Sequence, residues 1–351
     1  MKKIKVLVVD DSAFMRKVIS DMITLDKDLT VIDTARNGKE AIKKINELSP
    51  DIVTMDVEMP IMDGITALKN IMQKTPLPVV MLSSITKEGA EATLKALDLG
   101  AVDFITKPTN IFKMNTEDMR NQLIEKIKIA SRVNVSAKCI QPARKIKIIA
   151  NRSVPYKENT RIKKIVAIGT STGGPRALQD VIPYLPKDIP ASIIIVQHMP
   201  AGFTKSLAER LNNLSEIYVK EAENNDKLLP GHAYIAPGGY HLKIIKYASD
   251  YKVSLTKDAP VSGHRPSVDA MMNSLAQLEI DNLIGVIMTG MGSDGAVGIK
   301  NIKEKRGYTI AQDEATCVVY GMPKSAVNLG CIDEVVPLQN IAQVITKIVG
   351  V

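Results

Sequence analysis

The chain has 351 residues, 45% of them hydrophobic and 24% charged, and a formal net charge of +8. This provides enough apolar material for two globular domains, each with its own core. The longest apolar runs, such as Ile193 to Val196, are strand-sized and far shorter than the roughly 20 residues that a membrane-spanning helix needs. The first residues lead directly into a strand-like segment without the apolar stretch of a secretory signal, so we expect a cytoplasmic protein with no membrane insertion. Three cysteines without CxxC spacing predict neither a disulfide framework nor a zinc site.

The positive charge is concentrated in one segment. Residues 126–164 contain twelve Lys or Arg and one acidic residue, Glu158, which gives this segment +11 and leaves −3 for the rest of the chain. The segment lacks a sustained hydrophobic period and carries Ser, Pro and Asn residues, which predicts a basic linker over residues 126–160. It is either a solvated spacer or an electrostatic docking segment for an acidic partner. Because the folded parts carry no excess positive charge, we expect no binding to nucleic acid.

Residues 1–125 repeat a pattern of an apolar strand followed by an amphipathic helix. Five such units predict an α/β domain with a doubly wound, five-stranded parallel sheet. The predicted strands are Lys5 to Val9, Thr30 to Ala35, Ile52 to Met55, Val79 to Leu82 and Asp103 to Ile105, with a last helix after Thr116.

Polar residues follow the carboxyl ends of four of these strands, where ligands bind in such sheets. Asp10 and Asp11 follow the first strand and Asp56 the third, so three carboxylates are expected to converge and to hold Mg²⁺. Asp56, on the central strand, can become an aspartyl phosphate. Ser83 after the fourth strand and Lys107 after the fifth can hold the phosphoryl oxygens. Each residue alone could be a helix cap or a turn residue, but together they favour a phosphorylation site.

Three segments of this domain resemble the receiver domains of bacterial response regulators: Val8 to Ser12, Met55 to Gly64 and Thr106 to Pro108. The resemblance implies that a histidine kinase phosphorylates Asp56 in the presence of Mg²⁺. It does not indicate what the rest of the chain does.

From Ile162 onward the chain again alternates apolar strands with helical stretches. This predicts a second doubly wound α/β domain over residues 161–351 with a mainly parallel sheet, and a hairpin added to it between Tyr240 and Thr256. The predicted strands are Ile165 to Ile168, Ile193 to Val196, His232 to Ile235, Leu242 to Ile245, Lys252 to Thr256, Ile284 to Met288 and Thr309 to Ala311.

The first of these strands leads into a glycine-flanked serine, Ser171, within the segment Gly169 to Gly174. The segment matches the G-x-S-x-G pattern, in which a sharp strand-to-helix turn exposes a serine hydroxyl above the sheet. Backbone N–H groups at the start of the helix could stabilise an oxyanion there. A glycine turn that binds phosphate has a similar sequence, so this segment alone leaves both interpretations open.

A nucleophilic serine needs a base, and the chain has four histidines. His198 follows a strand that we expect beside the strand of Ser171, so both residues should lie at the same edge of the sheet. His232 is predicted at the opposite end of its strand, and His241 is expected to face solvent on a hairpin. His264 is in a loop that could line the pocket.

The carboxylate that orients such a base is expected at another strand end. Asp294 fits, because the predicted strand Ile284 to Met288 runs into a glycine-rich turn that contains it. Asp294 could instead be only a helix N-cap. In the same turn, the backbone N–H of Met291 is a candidate oxyanion donor. The chain order Ser, His, Asp differs from that of α/β-hydrolases, so no fold analogy to them is drawn.

Six segments of this second domain resemble the chemotaxis methylesterase family, CheB: Gly169 to Gly174, Gln197 to Pro200, Tyr234 to Gly238, His264 to Asp269, Met288 to Gly292 and Gly321 to Pro323. The resemblance implies a triad that needs no cofactor, assisted in the pocket by other residues. The triad would be Ser171, His198 and Asp294, and the assisting residues Thr172, His264 and Met291.

The same resemblance implies a substrate and a phosphodonor. The substrates are glutamyl methyl esters, and glutamines to be deamidated, on cytoplasmic regions of methyl-accepting chemoreceptors. The phosphodonor is the chemotaxis histidine kinase CheA. Thr170 stands where alanine is usual in the family and is expected to alter packing only.

Two other functions were weighed. A response regulator that binds DNA would use the basic linker as an arm, but the second domain shows no helix-turn-helix signature. A domain that keeps the fold without the chemistry would be a phosphorylation-controlled scaffold for receptors. The presence of Ser171, His198 and Asp294 argues against a scaffold and favours a phosphorylation-activated hydrolase.

Overall fold

The computed structural model describes residues 3–107, 116–133, 135, 162–248, 250–278, 280 and 282–351. The chain divides into two compact units, with the division between Pro142 and Ala143. Most of the predicted basic linker, including Cys139, lies outside the described residues. Within the described residues, no helix combines the length and the apolar character that crossing a membrane requires.

The N-terminal unit is an alternation of strands and helices. In chain order it contains β1 (Ile4–Val9), α1 (Ala13–Thr24), β2 (Leu29–Ala35), α2 (Gly38–Leu48), β3 (Ile52–Asp56), α3 (Gly64–Lys74), β4 (Val79–Ser83), α4 (Lys87–Asp98), β5 (Asp103–Thr106) and α5 (Thr116–Ala130). The strands pair in parallel in the order β2-β1-β3-β4-β5. The predicted five-stranded, doubly wound sheet is confirmed.

Local sequence explains where the elements of this unit lie. β3 and β4 are buried along their whole length, as expected for central parallel strands that helices cover on both faces. The first four helices each begin after a residue whose side chain accepts a backbone N–H of the first turn. These N-caps are Ser12, Asn37, Asp63 and Thr86.

Helix α5 extends past the predicted domain boundary at residue 125. Ile127 and Ala130 are buried. Lys126 forms an ion pair with Asp103, and Lys128 binds two carboxylates near the start of β2. These two lysines therefore belong to the folded unit, because their charges are neutralised within it.

The C-terminal unit is larger and follows the same alternation. It contains β6 (Lys164–Thr170), α6 (Gly174–Gln179), β7 (Ala191–Gln197), α7 (Phe203–Leu214), β8 (Tyr218–Glu221), β9 (His232–Ile235), β10 (His241–Tyr247), β11 (Asp250–Thr256), α8 (Val268–Ala276), β12 (Leu283–Ile287), α9 (Ala296–Glu304), β13 (Tyr308–Gln312), α10 (Met322–Asn328), β14 (Glu334–Val336) and α11 (Ile341–Val349). Seven strands form a parallel sheet in the order β14-β13-β12-β6-β7-β9-β8. This confirms the predicted parallel sheet.

Two details of the predicted sheet were wrong. The hairpin β10-β11 is not added to the large sheet but forms a separate antiparallel sheet of two strands. The sequence prediction also missed β8 and β14, which are the two edge strands. Both are short and partly exposed, so neither shows the apolar run that identifies the central strands.

In each sheet, two neighbouring strands mark the point where the chain reverses its direction of sheet growth. These are β1 and β3 in the first sheet, and β6 and β12 in the second. The connections that follow these two strands lead away in opposite directions and leave a crevice outside the carboxyl ends of the strands, which is where open α/β sheets bind their ligands. The predicted site residues lie at both points.

Candidate functional sites

Ser171 lies in a tight turn between β6 and α6. Gly173 in this turn has a φ of +79°, which glycine adopts without strain. Gly174 is packed so closely that a Cβ atom there would lie 2.0 Å from Oε1 of Gln197. The two glycines therefore allow the sharp strand-to-helix turn that the G-x-S-x-G pattern predicts.

Hydrogen bonds hold the backbone of this turn on both sides. The Ser171 N–H donates to the carbonyl of Thr289 (3.0 Å), and its own carbonyl accepts from Gly174 N–H (2.8 Å) and Gln197 Nε2 (3.0 Å). The buried Thr170 hydroxyl also donates to the Thr289 carbonyl (3.0 Å). The expectation that Thr170 alters packing only was therefore incomplete, because this side chain adds a hydrogen bond.

His198 lies directly after β7, at the same sheet edge as Ser171. β6 and β7 are parallel neighbours, with Thr170 in register with Gln197. The His198 Nε2 atom lies 2.7 Å from Oδ2 of Asp294. Its other ring nitrogen, Nδ1, is buried and has no hydrogen-bond partner among the described residues. Nδ1 is therefore the ring nitrogen that Asp294 does not engage.

Asp294 is 2% exposed and accepts four hydrogen bonds. Oδ2 accepts from His198 and from the Val268 N–H (2.7 Å), and Oδ1 accepts from Ser267 Oγ (2.8 Å) and the Asp269 N–H (3.0 Å). The two N–H groups belong to the first turn of α8. Asp294 does not cap the following helix α9, whose N-cap is Gly295. The N-cap interpretation is thus wrong for α9, although the carboxylate does satisfy donors of α8.

The groups around Asp294 keep this carboxyl ionised. Burial would raise the pKa of Asp294, but the hydrogen bond and charge of His198 and the N–H groups of α8 lower it from 3.8 to about 2. Asp294 is therefore ionised at neutral pH. A carboxylate can only accept, so Nε2 of His198 carries the proton in this contact.

Of the three residues predicted to assist, His264 contacts this pair. The His264 ring stacks on the ring of His198, with centroids 3.9 Å apart and planes 13° apart. Thr172 is buried, and its carbonyl accepts from the Thr289 hydroxyl (2.9 Å). Met291 follows Gly290, whose missing side chain allows close approach: a Cβ there would lie 2.8 Å from that of Ser171. No hydrogen bond joins Ser171 Oγ to His198 among the described contacts.

The remaining two histidines make other contacts. His232 is at the amino end of β9, in register with Ser192, and its Nδ1 bonds the Pro230 carbonyl (2.9 Å). This confirms the predicted placement. His241 was expected to face solvent, but it is only 1% exposed and its Nε2 contacts the Ala259 carbonyl (3.1 Å). The loop after β11 covers it, which the hairpin pattern does not reveal.

The second candidate site is an acidic pocket at the carboxyl edge of the first sheet. Carboxylate oxygens of Asp10, Asp11 and Asp56 all lie within 4.8 Å of one another. Lys107 Nζ lies 2.7 Å from Oδ2 of Asp10 and 2.6 Å from Oδ2 of Asp56. Oxygen-only donors of this kind fit Mg²⁺, which binds carboxylates together with phosphate oxygens. The pocket encloses about 250 Å³.

In this pocket two carboxylates, Asp10 and Asp56, share one ammonium group, that of Lys107. Burial and the nearby charge of Asp10 together raise the pKa of Asp56 from 3.8 to about 6, against the opposing ion pair with Lys107. Burial would lower the pKa of Lys107, but its two carboxylate partners raise it overall. Lys107 is therefore a fixed positive charge beside Asp56.

Ser83 was predicted to line this pocket, but its side chain contacts helix α4 instead. It is fully buried; its hydroxyl donates to the Gly89 carbonyl (3.1 Å) and lies 2.7 Å from Oγ1 of Thr93. The adjacent Ser84, which the sequence prediction did not single out, lines the pocket instead. Sequence spacing locates Ser83 at the strand end but does not give its rotamer.

Comparison with protein families gives the same division of the chain. Residues 166–345 match the family model of the CheB methylesterase, and residues 6–117 match that of the response regulator receiver domain. The chain is 52% identical over 348 residues to a protein-glutamate methylesterase/protein-glutamine glutaminase of Halalkalibacterium halodurans, with 98% of each chain covered. It is 46% identical to the protein of the same name from Pyrococcus horikoshii, with 100% of this chain and 95% of the other covered.

The crystal structure of the Thermotoga maritima CheB methylesterase catalytic domain is similar to the C-terminal unit. The identity is 47% and the TM-score 0.52, with 52% of this chain and 97% of that one covered. Sequence and fold thus agree over the unit that holds Ser171, His198 and Asp294. The chain belongs to the CheB methylesterase family of hydrolases and carries a response regulator receiver domain in its N-terminal unit.

Proposed function

We propose that this chain is a phosphorylation-activated hydrolase that acts in the cytoplasm on chemoreceptors. It removes methyl groups from glutamyl methyl esters and deamidates glutamines, which gives adaptation in chemotaxis. The contact of 2.7 Å between His198 Nε2 and Asp294 Oδ2, one strand away from Ser171, carries this proposal. In this proposal, the contact orients a base at the sheet edge that also holds Ser171.

The first half of the reaction forms an acyl-enzyme. Nδ1 of His198 takes the proton of Ser171 Oγ while the oxygen attacks the ester carbonyl. The tetrahedral intermediate collapses, the C–O bond to the methoxy group breaks, and Nδ1 returns the proton to release methanol. For a glutamine substrate the C–N bond breaks, and ammonia leaves with the same proton.

The second half returns the free enzyme. Nδ1 takes a proton from water, the resulting hydroxide attacks the acyl carbonyl, and the ester bond to Ser171 breaks. The proton then returns to Ser171 Oγ, and the substrate side chain leaves as a carboxylic acid, which releases its proton to water and becomes glutamate. Throughout, Asp294 stays ionised and stabilises the imidazolium. The N–H groups of Thr172 and Met291 are the proposed donors to the oxyanion.

The ring of His198 is used in the opposite sense to that of the serine-protease triad. There, Nδ1 binds the aspartate and Nε2 faces the serine. Here Nε2 binds Asp294, and Nδ1 is the unpartnered nitrogen. His264 stacks on this ring, and we propose that it keeps the ring in this orientation.

In the receiver domain, Asp56 accepts the phosphoryl group from a chemotaxis histidine kinase such as CheA. Asp10, Asp11 and Asp56 would hold Mg²⁺, which neutralises phosphoryl charge when it is bound. Lys107 then pairs with a phosphoryl oxygen. Ser83 can reach another oxygen only if it gives up its contacts with Gly89 and Thr93, so its rotation couples phosphorylation to a change of shape.

Methanol release from methylated receptor, with and without a small phosphodonor, tests this function. The wild type should release methanol faster with the phosphodonor, Asp56→Asn should not respond to it, and Ser171→Ala should lose several powers of ten in rate. A Ser171→Ala protein that releases methanol at the wild-type rate would contradict the assignment. A fragment over residues 161–351 should be more active than the unphosphorylated full chain; an equal rate would refute inhibition by the receiver.

A further inference from the structure

Gln197 connects the backbone at the nucleophile with the backbone at the base. It is the last residue of β7, 2% exposed, and directly precedes His198. Its side-chain Nε2 donates to the carbonyl of Ser171 (3.0 Å) and to the carbonyl of His198 (3.1 Å). One amide group therefore bonds the main chain of both residues on which the proposed reaction depends.

These two bonds restrict the turn because a peptide unit is planar. The carbonyl of Ser171 shares a plane with the N–H of Thr172, so fixing one fixes the direction of the other. The next carbonyl, that of Thr172, is held by the Thr289 hydroxyl. Two consecutive peptide planes after Ser171 are thus each set by a buried side chain.

The oxygen of the Gln197 amide shows that this arrangement lowers the stability of the fold. Oε1 is buried and has no hydrogen-bond partner among the described residues. A buried acceptor without a hydrogen-bond partner destabilises the fold. An apolar side chain of similar volume would avoid this cost, so the stability of the fold alone does not account for an amide here. The NH₂ donors do account for it.

We propose that Gln197 is a positioning residue for the hydrolysis, which holds the Ser171 turn and the His198 backbone in reactive register. This inference rests on the proposed function. Gln197 does not contact the reacting atoms; it acts by keeping Ser171 Oγ and His198 Nδ1 within reach of each other. Loss of its donors should therefore lower kcat and leave KM nearly unchanged.

The first test uses Gln197→Met, which keeps the length of the side chain and removes both donors. We expect methanol release by the phosphorylated full chain to fall about 10- to 100-fold in kcat, as misplacement of catalytic groups causes elsewhere, with KM changed less than about twofold. Labelling of Ser171 by a fluorophosphonate should slow by a similar factor. Wild-type kcat in this variant, or a loss confined to KM, would overturn the proposal.

The second test uses Gln197→Glu, in which a change of pH adds or removes the hydrogen-bond donor within one folded protein. It therefore decides the question even if the Gln197→Met protein does not fold. Above the pKa of the new carboxyl, its oxygens face two carbonyl oxygens without a proton to donate. As the pH falls, protonation restores one donor, so the activity relative to wild type should rise several-fold between about pH 8.5 and pH 6. A ratio that stays constant with pH would overturn the proposal.

Gln179→Glu is the matched control. Gln179 is also buried, and its Nε2 donates to the Pro175 carbonyl within α6, while Oε1 accepts from Arg210. A carboxylate there can still accept from Arg210, so the activity ratio should not vary with pH.

The readouts separate this inference from the proposed function. If wild-type protein releases no methanol yet labels at Ser171, the proposed substrate is wrong and the labelling rates still decide the role of Gln197. If wild type is active and Gln197→Met equals it, the inference alone fails.

Discussion

The two units place a buried aspartate at the same topological position, and they treat it in opposite ways. Asp56 is 4% exposed and its pKa is raised to about 6, whereas Asp294 is 2% exposed and its pKa is lowered to about 2. Burial acts in the same direction on both carboxyls. The difference must therefore come from the groups around them.

Asp294 has more donors than Asp56, and these offset both its burial and the neighbouring carboxyl of Asp269. It accepts from His198, Ser267 and two N–H groups of α8. Asp56 has Lys107 as its charged partner, and it shares that ammonium group with Asp10, whose charge opposes its own ionisation. The carboxylate of Asp294 has its hydrogen-bond partners without a ligand. The carboxylates around Asp56 have less positive charge than they need.

This difference matches what each carboxylate is proposed to do. Asp294 must keep one charge and one position through a reaction cycle, so saturation by fixed donors is an advantage. Asp56 must react and bind a cation. Its uncompensated negative charge favours binding of the cation, and this binding can shift the receiver between two states. Asp294 is held by four hydrogen bonds, so the loss of one leaves three. Asp56 has Lys107 as its charged partner, so a change in this single contact alters the site.

Asp294→Asn should have the largest effect on activity. The amide cannot hold His198 with the proton on Nε2 in the same way, because its NH₂ group would compete to donate there. We expect kcat for methanol release to fall by about 10³ to 10⁴, as in other triads with this change. Asp333→Asn is the control, since that side chain accepts from Thr309 and pairs with Lys303 instead of His198. Equal activities of the two variants would show that Asp294 does not orient the base.

Asp56→Asn should stabilise the N-terminal unit. Because the folded pKa of about 6 exceeds the ordinary 3.8, the folded state binds more protons, and stability falls as the pH rises from about 4 to about 6. At pH 7 without Mg²⁺ the amide should therefore raise the free energy of unfolding by about 1 to 3 kcal/mol, and by little at pH 4. Hydrogen exchange of peptides from residues 3–107 measures this. Reduced protection at pH 7 would contradict the raised pKa.

Asp294→Asn should have the opposite sign in the C-terminal unit. Its folded pKa of about 2 lies below 3.8, so the ionised carboxylate stabilises the fold above about pH 4, and this contribution is lost as the pH falls towards 2. The substitution should cost roughly 2 kcal/mol at pH 7 and less near pH 2. Hydrogen exchange of residues 162–248 and 282–351 measures it. A variant as stable as the wild type at pH 7 would break the comparison of the two sites.

The sequence was sufficient to place residues at strand ends but not to orient their side chains. The edge shared by Ser171, His198 and Asp294 was predictable, because parallel strands gather their carboxyl ends at one edge. The rotamer of Ser83 was not, since it depends on Thr93 one helix away. The donors to Asp294 come from α8, 25 and 26 residues earlier in the chain, and no local pattern connects these segments.

Thr93→Val should make the receiver easier to switch. Thr93 Oγ1 lies 2.7 Å from the Ser83 hydroxyl, and valine keeps the shape without this hydrogen bond. One hydrogen bond contributes about 1 kcal/mol, so the phosphodonor concentration for half-maximal methanol release should fall roughly fivefold. Thr54→Val is the matched control, because the buried Thr54 hydroxyl has no partner among the described residues. The same shift in both variants would rule out a specific role for Thr93.

Thr170→Ala should have the smallest effect, because a second donor duplicates the hydrogen bond of the Thr170 hydroxyl. The Thr289 carbonyl that accepts the Thr170 hydroxyl also accepts the Ser171 N–H, so it is not left without a donor. We expect a loss of about 1 kcal/mol in stability and little change in kcat. Thr170→Val separates the causes, since it keeps the volume and removes only the hydroxyl. If valine restores full stability, packing accounts for this residue; if it matches alanine, the hydrogen bond does, and the turn is held by one bond more than its family pattern predicts.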